Sequence, residues 1–213
     1  MTERFDQRDC EVLSRTVRYD GFFKIHALDL RHRRFAGDWT PAFSRELFVR
    51  DDATCVLPYD PVQDAIVLIE QFRVGALGRD QSPWLLELVA GINEPGETPE
   101  AVAHREADEE AGLALRALEP ICRYLVSPGG SSECVHLYCA WVDAPAQSGT
   151  LHGLADEHED IRVHVLSWQD AWSSLCDGLI NNAASIIALQ WLALHRERLR
   201  AQWLPVPTFG EDA

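Results

Sequence analysis

Short runs of β-branched and aromatic residues alternate with turn-forming residues through the first half of the chain. Runs of this kind, bounded by Gly, Asp and Pro, are typical of β-strands. They predict five strands, over residues 10–18, 22–30, 45–50, 53–58 and 65–74. The same signals predict three further strands, near residues 117–127, 133–142 and 161–167.

Helical signals occupy the middle and the end of the chain. A helix is predicted over residues 98–112, because Thr98 is a good N-cap and Gly112 is a natural stop. Two more helices are predicted over residues 168–177 and 182–201. Mixed strands with few helices indicate an α+β fold, or a sheet sandwiched by helices.

The charge of the chain narrows the classes of partner. It carries 19 Lys and Arg against 34 Asp and Glu, a net charge of −15, which repels nucleic-acid backbones. The sequence has neither an apolar run long enough to span a membrane nor an apolar signal core. We therefore expect a cytoplasmic protein that binds neither nucleic acid nor membrane. A small anionic substrate remains possible if a cation mediates the contact.

Three glutamates stand out on the predicted helix 98–112. Glu106, Glu109 and Glu110 lie at i, i+3 and i+4, so they share one helix face. Each like-charge pair at this spacing costs about 0.2–0.5 kcal/mol, which a solvated face can bear. A hard divalent cation would remove the repulsion, because it accepts several carboxylate ligands. From the cluster alone, both interpretations remain open.

The wider spacing around this helix resembles the Nudix box. All seven fixed positions of the box are filled, by Gly91, Glu97, Arg105, Glu106, Glu109, Glu110 and Gly112. The one departure is Ala107, where the box usually has a larger aliphatic residue. The resemblance implies an α/β/α sandwich that hydrolyses nucleoside diphosphates linked to another group.

The resemblance also implies roles for individual residues. The expected metal ligands are the carbonyl of Ala90 and the carboxylates of Glu106, Glu110 and Glu159. They would hold two or three magnesium ions, with manganese as an alternative. Glu157, in an acidic loop, would be the general base. The expected supporting residues are Glu97 in the loop, Arg105, which pairs with the glutamates, and Glu109 beside the ligands.

Five segments resemble the ADP-ribose pyrophosphatase branch of the family. They are LIEQFR (68–73), PWLLELVAG (83–91), SPGGSSE (127–133), GLADEHEDIRVHV (153–165) and NNAASIIALQWL (181–192). In that branch an additional N-terminal antiparallel sheet exchanges between subunits, so a homodimer is expected. Phe22 would stack on adenine, and Arg45 and Arg73 would contact ribose and phosphate. Gly129 and Ser131 are candidate substrate contacts in a loop whose sequence favours a hairpin turn.

The chain is therefore divided into three predicted regions. Residues 1–52 are a dimerisation sheet, residues 53–205 the Nudix hydrolase domain and residues 206–213 an irregular tail. The expected reaction is magnesium-dependent hydrolysis of ADP-ribose to AMP and ribose 5-phosphate. Three alternatives are the same chemistry on an ADP-sugar, GDP-mannose or an oxidised nucleotide, a non-catalytic nucleotide-binding module, and an acidic interaction or calcium-binding protein.

Overall fold

The computed structural model describes residues 5–154, 156 and 158–204, which form two compact units. The first comprises the described part of Met1–Asp52 together with Tyr124–Cys134. The second comprises Ala53–Arg123 and the described part of Val135–Ala213. Among the helices within these ranges, none is both long and apolar enough to cross a membrane.

The predicted regions relate to these units as follows. The predicted hydrolase region, residues 53–205, contributes one stretch, Tyr124–Cys134, to the first unit. The dimerisation role of residues 1–52 stays a prediction. The predicted irregular tail, residues 206–213, lies outside the described residues.

The first unit contains a three-stranded antiparallel sheet in the order β1 (Cys10–Asp20), β2 (Lys24–His32) and β3 (Phe43–Val49). A 3-10 helix, Gln7–Asp9, precedes β1. Every residue of β1 is exposed, and β2 buries only Ala27 and Leu28. The predicted N-terminal antiparallel sheet is confirmed, with strand ends displaced by about two residues from the sequence pattern.

The second unit is built on an eight-stranded sheet. Its elements in chain order are β4 (Ala53–Asp60), β5 (Ala65–Phe72), β6 (Trp84–Glu87), β7 (Val89–Ile92), α1 (Pro99–Ala111), β8 (Ala117–Leu125), β9 (Cys134–Trp141), β10 (Leu151–His152), β11 (Ile161–Ser167), α2 (Trp168–Cys176) and α3 (Ala183–Trp203). A 3-10 helix, Val74–Ala76, follows β5. The three predicted helices are confirmed, whereas β6, β7 and β10 were not predicted.

The sheet divides between β4 and β5. Its main order is β10-β11-β5-β4-β9-β8, with β4 and β9 parallel. β4 and β5 pair with each other only at Tyr59 and Asp60 of β4. Away from this contact, the first half of β4 pairs with β7 and the second half of β5 pairs with β6, both antiparallel. Leu88, which joins β6 to β7, therefore lies where the chain passes from the β5 side of this opening to the β4 side.

Helices cover both faces of this sheet. On one face, Val67 and Ile69 of β5 share a buried cluster with three alanines of α1: Ala103, Ala107 and Ala111. The intervening residues of β5 are also fully buried, and strand geometry directs them to the opposite face. α2 contacts β5 and β11, and α3 contacts β4. The predicted α/β/α sandwich is thereby confirmed.

Candidate functional site

Helix α1 carries most of the site, and local sequence fixes both of its ends. The Thr98 hydroxyl accepts a hydrogen bond from the Ala101 N–H at 3.2 Å, which caps the first turn. At the other end Gly112 adopts the left-handed conformation, with φ of 63°, and its N–H donates to the Asp108 carbonyl at 2.9 Å. These caps fix where the helix begins and ends, and so place Glu106, Glu109 and Glu110 within its last turns.

Glu110 is the most buried carboxylate of the cluster. Its side chain is 3% exposed, and its Oε2 accepts a hydrogen bond from the Ala90 N–H of β7 at 2.8 Å. Burial raises the pKa of Glu110 to about 8, and the charges of Glu106 and Glu159 add to the rise. The Ala90 hydrogen bond and the charge of Arg73 oppose it. At neutral pH, a carboxylate held in this way is favoured in its charged form when more positive charge comes close.

Glu106 lies one turn before Glu110 and against the backbone of Gly91. A Cβ added to Gly91 would overlap the Glu106 carboxylate, so the glycine leaves room for this carboxylate in the position where it lies. Burial raises the pKa of Glu106 to about 6, although the charge of Arg105 opposes the rise. The glycine of the box thus has a steric reason, because it lets the carboxylate lie against β7.

Arg105 joins the carboxylates of the loop before α1 to those on the helix. Its guanidinium makes two hydrogen bonds of 3.2 Å to Glu97, one of 2.6 Å to Glu106 and one of 3.2 Å to Glu109. The hydrogen bonds from Arg105 hold the pKa of Glu97 below its usual value. The Glu97 carboxylate also accepts from the Glu94 N–H at 3.2 Å, which ties the loop to the network.

The loop before β11 contributes Glu159. Its charge raises the pKa of both Glu106 and Glu110, so it lies within electrostatic reach of the helix. The Glu159 carboxylate accepts a hydrogen bond from the Leu154 N–H at 3.2 Å. Glu157, the predicted general base, lies outside the described residues. The structure therefore joins three of the predicted carboxylates, Glu97, Glu106 and Glu109, through Arg105. Glu110 and Glu159 lie within electrostatic reach of Glu106.

Arg73 follows β5 and is paired with a residue that the sequence did not single out. Its Nε donates to the Glu87 carboxylate of β6 at 2.7 Å, and its charge lowers the pKa of Glu110. Glu87 is the one charged residue in the apolar segment PWLLELVAG, and this was the only feature of the sequence that could have drawn attention to it. The pairing depends on the register of β5 against β6, which the sequence does not show.

Four predicted substrate contacts lie in the first unit. The Phe22 side chain is 86% exposed and meets Phe23 edge to face. The Arg45 guanidinium lies over the ring of Phe43, with 4.6 Å between its central carbon and the ring centroid. Gly129 and Ser131 belong to a tight turn, in which the Ser131 N–H donates to the carbonyl of residue 127 at 2.9 Å. The hairpin-turn interpretation of this loop is thus correct, and its substrate contacts stay a prediction.

Comparison with known proteins identifies the family. The sequence model described as the NUDIX domain matches residues 49–190. The chain belongs to the Nudix family. The Nudix chain is 49% identical over 199 residues to a protein named ADP-ribose pyrophosphatase from Escherichia coli strain K12, covering 93% of the chain and 95% of that relative. It is 42% identical to the protein of that name from Haemophilus influenzae, with 94% of each covered.

Two further comparisons extend the picture. The Nudix chain is 30% identical to a GDP-mannose pyrophosphatase of Yersinia pestis, over 92% of the chain and 94% of that relative. A solved structure titled ADP compounds hydrolase matches it with a TM-score of 0.69 at 22% identity. The match covers 93% of the Nudix chain and 98% of the solved one, which supports the Nudix fold.

Proposed function

We propose that this Nudix protein hydrolyses ADP-ribose to AMP and ribose 5-phosphate with the help of divalent cations. The relatives named ADP-ribose pyrophosphatase, at 42–49% identity over nearly the whole chain, support this substrate. The observation that carries the chemistry is the buried Glu110 beside Glu106 and Glu159. A protein gathers carboxylates in this way at an energetic cost that a bound cation offsets.

The described residues fit such a cation. Ionised Glu110 has no basic side chain in direct contact among the hydrogen bonds and ion pairs of the described residues, and its one recorded partner is the Ala90 N–H. In an extended strand the N–H and C=O of one residue point to the same edge. The carbonyl of Ala90 therefore lies on the edge that meets Glu110, which supports Ala90, Glu106, Glu110 and Glu159 as the ligand set. Oxygen ligands of this kind suit hard dications, and we propose two or three magnesium ions, with manganese as the substitute.

Bound dications would neutralise the diphosphate oxygens, which otherwise repel a nucleophile. The chain itself orients the ligands: Arg105 holds Glu106 and Glu109, while Glu97 fixes Arg105 from the loop. Gly91 supplies the space in which Glu106 lies. Arg73, at the end of β5, would donate to a phosphate oxygen.

The hydrolytic step needs a base and a leaving group. We assign the base to Glu157, in the loop that also carries Glu159. Its carboxylate takes a proton from water as the water oxygen forms a bond to one phosphorus. The bridging P–O bond on that phosphorus breaks, and its electron pair leaves with the other phosphate. The products are AMP and ribose 5-phosphate whichever phosphorus is attacked.

The first unit supplies our candidates for adenine and ribose recognition. Phe22 has the exposed ring that stacking on adenine requires, and Arg45 is a hydrogen-bond donor on β3. Gly129 and Ser131 would contact the substrate from their turn. The exposure of every residue of β1 supports a homodimer in which residues 1–52 form the subunit contact. In such a dimer Phe22 and Arg45 would serve the partner's site.

ADP-ribose hydrolysis in water labelled with heavy oxygen, with and without magnesium, tests the proposal. We expect cleavage only with magnesium, and the label in either AMP or ribose 5-phosphate identifies the attacked phosphorus. Glu106→Gln should abolish turnover, whereas Asp108→Asn, an exposed neighbour on α1, should not. Failure of the wild-type protein to cleave ADP-ribose under any divalent cation would overturn the proposed function.

The same assay separates the rival functions. Faster cleavage of GDP-mannose or an ADP-sugar than of ADP-ribose would show that another nucleotide sugar is the preferred substrate. The GDP-mannose pyrophosphatase relative makes this a specific alternative. Binding of ADP-ribose without turnover would indicate a non-catalytic module. That outcome is disfavoured because all the carboxylates of the box are present, and Arg105 joins three of them, Glu97, Glu106 and Glu109.

A further inference from the structure

Gln71 of β5 has a buried amide that the chemistry above does not use. The residue is 6% exposed, and within the described part of the chain its Nε2 has no hydrogen-bond partner. Buried donors in folded proteins are nearly always paired, because an unpaired one keeps the full penalty of leaving water. The amide of Gln71 therefore indicates a partner that comes within reach in another state of the protein.

Strand register places Gln71 beneath the side chain of Arg73. Alternation along β5 directs Ile69, Gln71 and Arg73 to the same face of the sheet. The Arg73 N–H bonds to the carbonyl of Pro83, whereas Glu87 pairs with Ile69, farther back along the strand. The Arg73 Nε nevertheless reaches the Glu87 carboxylate at 2.7 Å. The Arg73 side chain must therefore extend back across the position of Gln71.

Arg73 and Glu87 differ in their freedom to move. The Arg73 side chain is 45% exposed, and the Glu87 side chain only 15%. An anion in solution can therefore attract the Arg73 side chain. The Glu87 carboxylate would then be a largely buried charge without its ion-pair partner. Gln71 and Glu87 are diagonal neighbours on adjacent strands, a separation of about 7–8 Å that two long side chains can bridge.

We propose that Gln71 is a positioning residue for Arg73, whose amide donates to the Glu87 carboxylate when Arg73 turns to an oxygen of the substrate diphosphate. This inference rests on the proposed function, because ADP-ribose supplies that diphosphate. This new hydrogen bond satisfies both the buried amide of Gln71 and the carboxylate of Glu87 that Arg73 has left. Gln71 thus favours the substrate-bound orientation of Arg73 without touching the substrate.

The test compares Gln71→Leu with the wild-type enzyme, using ADP-ribose as the probe. Losing a hydrogen bond to a charged group corresponds to about a tenfold loss of affinity. We expect KM in magnesium to rise about tenfold while kcat stays within about twofold. Calorimetric binding of ADP-ribose in the presence of a chelator should weaken by a similar factor. The melting temperature without ligand should be unchanged or higher, because the variant removes an unpaired donor.

Two further variants separate positioning from a structural role. Ser185→Ala removes the buried Oγ of Ser185 in α3, which likewise has no hydrogen-bond partner among the residues that the structure describes, and should change neither KM nor kcat. Glu87→Gln removes the charged acceptor, so adding Gln71→Leu to it should raise KM by less than about threefold. An unchanged KM in Gln71→Leu, or a full tenfold effect in the Glu87→Gln background, would overturn the inference.

The outcomes also distinguish this inference from the proposed function. If wild-type protein does not cleave ADP-ribose, the proposed function fails and this inference fails with it. If the wild type is active and Gln71→Leu binds normally, only this inference fails. Gln71→Met is the second variant, and if neither variant folds without ligand, the amide has a structural partner and the inference is wrong.

Discussion

Glu110→Gln should stabilise the cation-free protein at alkaline pH, although it removes a central carboxylate of the site. Glu110 is buried at 3% exposure, and burial raises its pKa from 4.5 to about 8. The unfolded chain releases this proton near its ordinary pKa, whereas the folded chain retains it until the pH nears 8. Between these values the folded state binds more protons, so stability must fall as the pH rises.

The size of the change in unfolding free energy follows from the shift in the pKa of Glu110. Each tenfold change in proton affinity corresponds to about 1.4 kcal/mol. A rise from 4.5 to about 8 therefore removes roughly 3–4 kcal/mol between pH 5 and pH 8. The contribution is fully present below the unfolded pKa and is lost as the pH approaches the folded pKa. A glutamine at this position does not titrate, and it keeps an oxygen for the Ala90 N–H.

Urea unfolding in the presence of a chelator, at several pH values between about 5 and 8, measures the difference. Relative to the variant, the wild type should lose several kcal/mol of unfolding free energy across this range. Asp108→Asn, which also removes a charge from α1 but at an exposed position, should follow the wild-type curve. Magnesium should stabilise the wild type more near pH 8 than near pH 5. Parallel curves for Glu110→Gln and wild type would refute the claim that burial strains this carboxylate.

Two other substitutions test the supports of the site, and a third tests the buried carboxylate of Asp60 at the end of β4. Gly91→Ala should displace the Glu106 carboxylate and lower kcat at least tenfold, and a normal rate would show that Glu106 has room elsewhere. Arg105→Lys loses the paired hydrogen bonds to Glu97, so kcat/KM for ADP-ribose should fall about tenfold; wild-type kinetics would remove Arg105 from its assigned role. Asp60→Ala leaves the N–H groups of residues 62, 63 and 144 without their acceptor and should lower the unfolding free energy by about 3 kcal/mol or more, which thermal unfolding will check.

Features encoded by neighbouring residues could be predicted from the sequence. Helix α1 was predicted closely because Thr98 and Gly112, its two caps, lie within the segment itself. The shared face of Glu106, Glu109 and Glu110 followed from helical spacing alone. Strands β6 and β7 were missed because Leu88 joins them without any turn residue, and their distinction lies in which strand each one pairs with.

Features that depend on distant contacts could not be predicted. The burial of Glu110 arises where α1 meets β7, and the sequence shows neither that contact nor the Ala90 hydrogen bond. Glu87 and Gln71 owe their significance to the register between β5 and β6. The resemblance to a known family supplied Ala90, Arg73 and Glu159 as site residues, which residue patterns alone would have left among ordinary core and surface positions.

The methyl groups of Ala103, Ala107 and Ala111 set the separation between the helix and the strands under it. All three are buried, so the glutamates on the neighbouring face of the helix are carried close to β7. With the facing residues of this chain unchanged, a larger side chain at Ala107 would push α1 away from the sheet and draw Glu110 away from Ala90. The side chain at position 107 does not contact the ion. Natural variation there should nevertheless alter ion affinity, because it changes the spacing between α1 and β7.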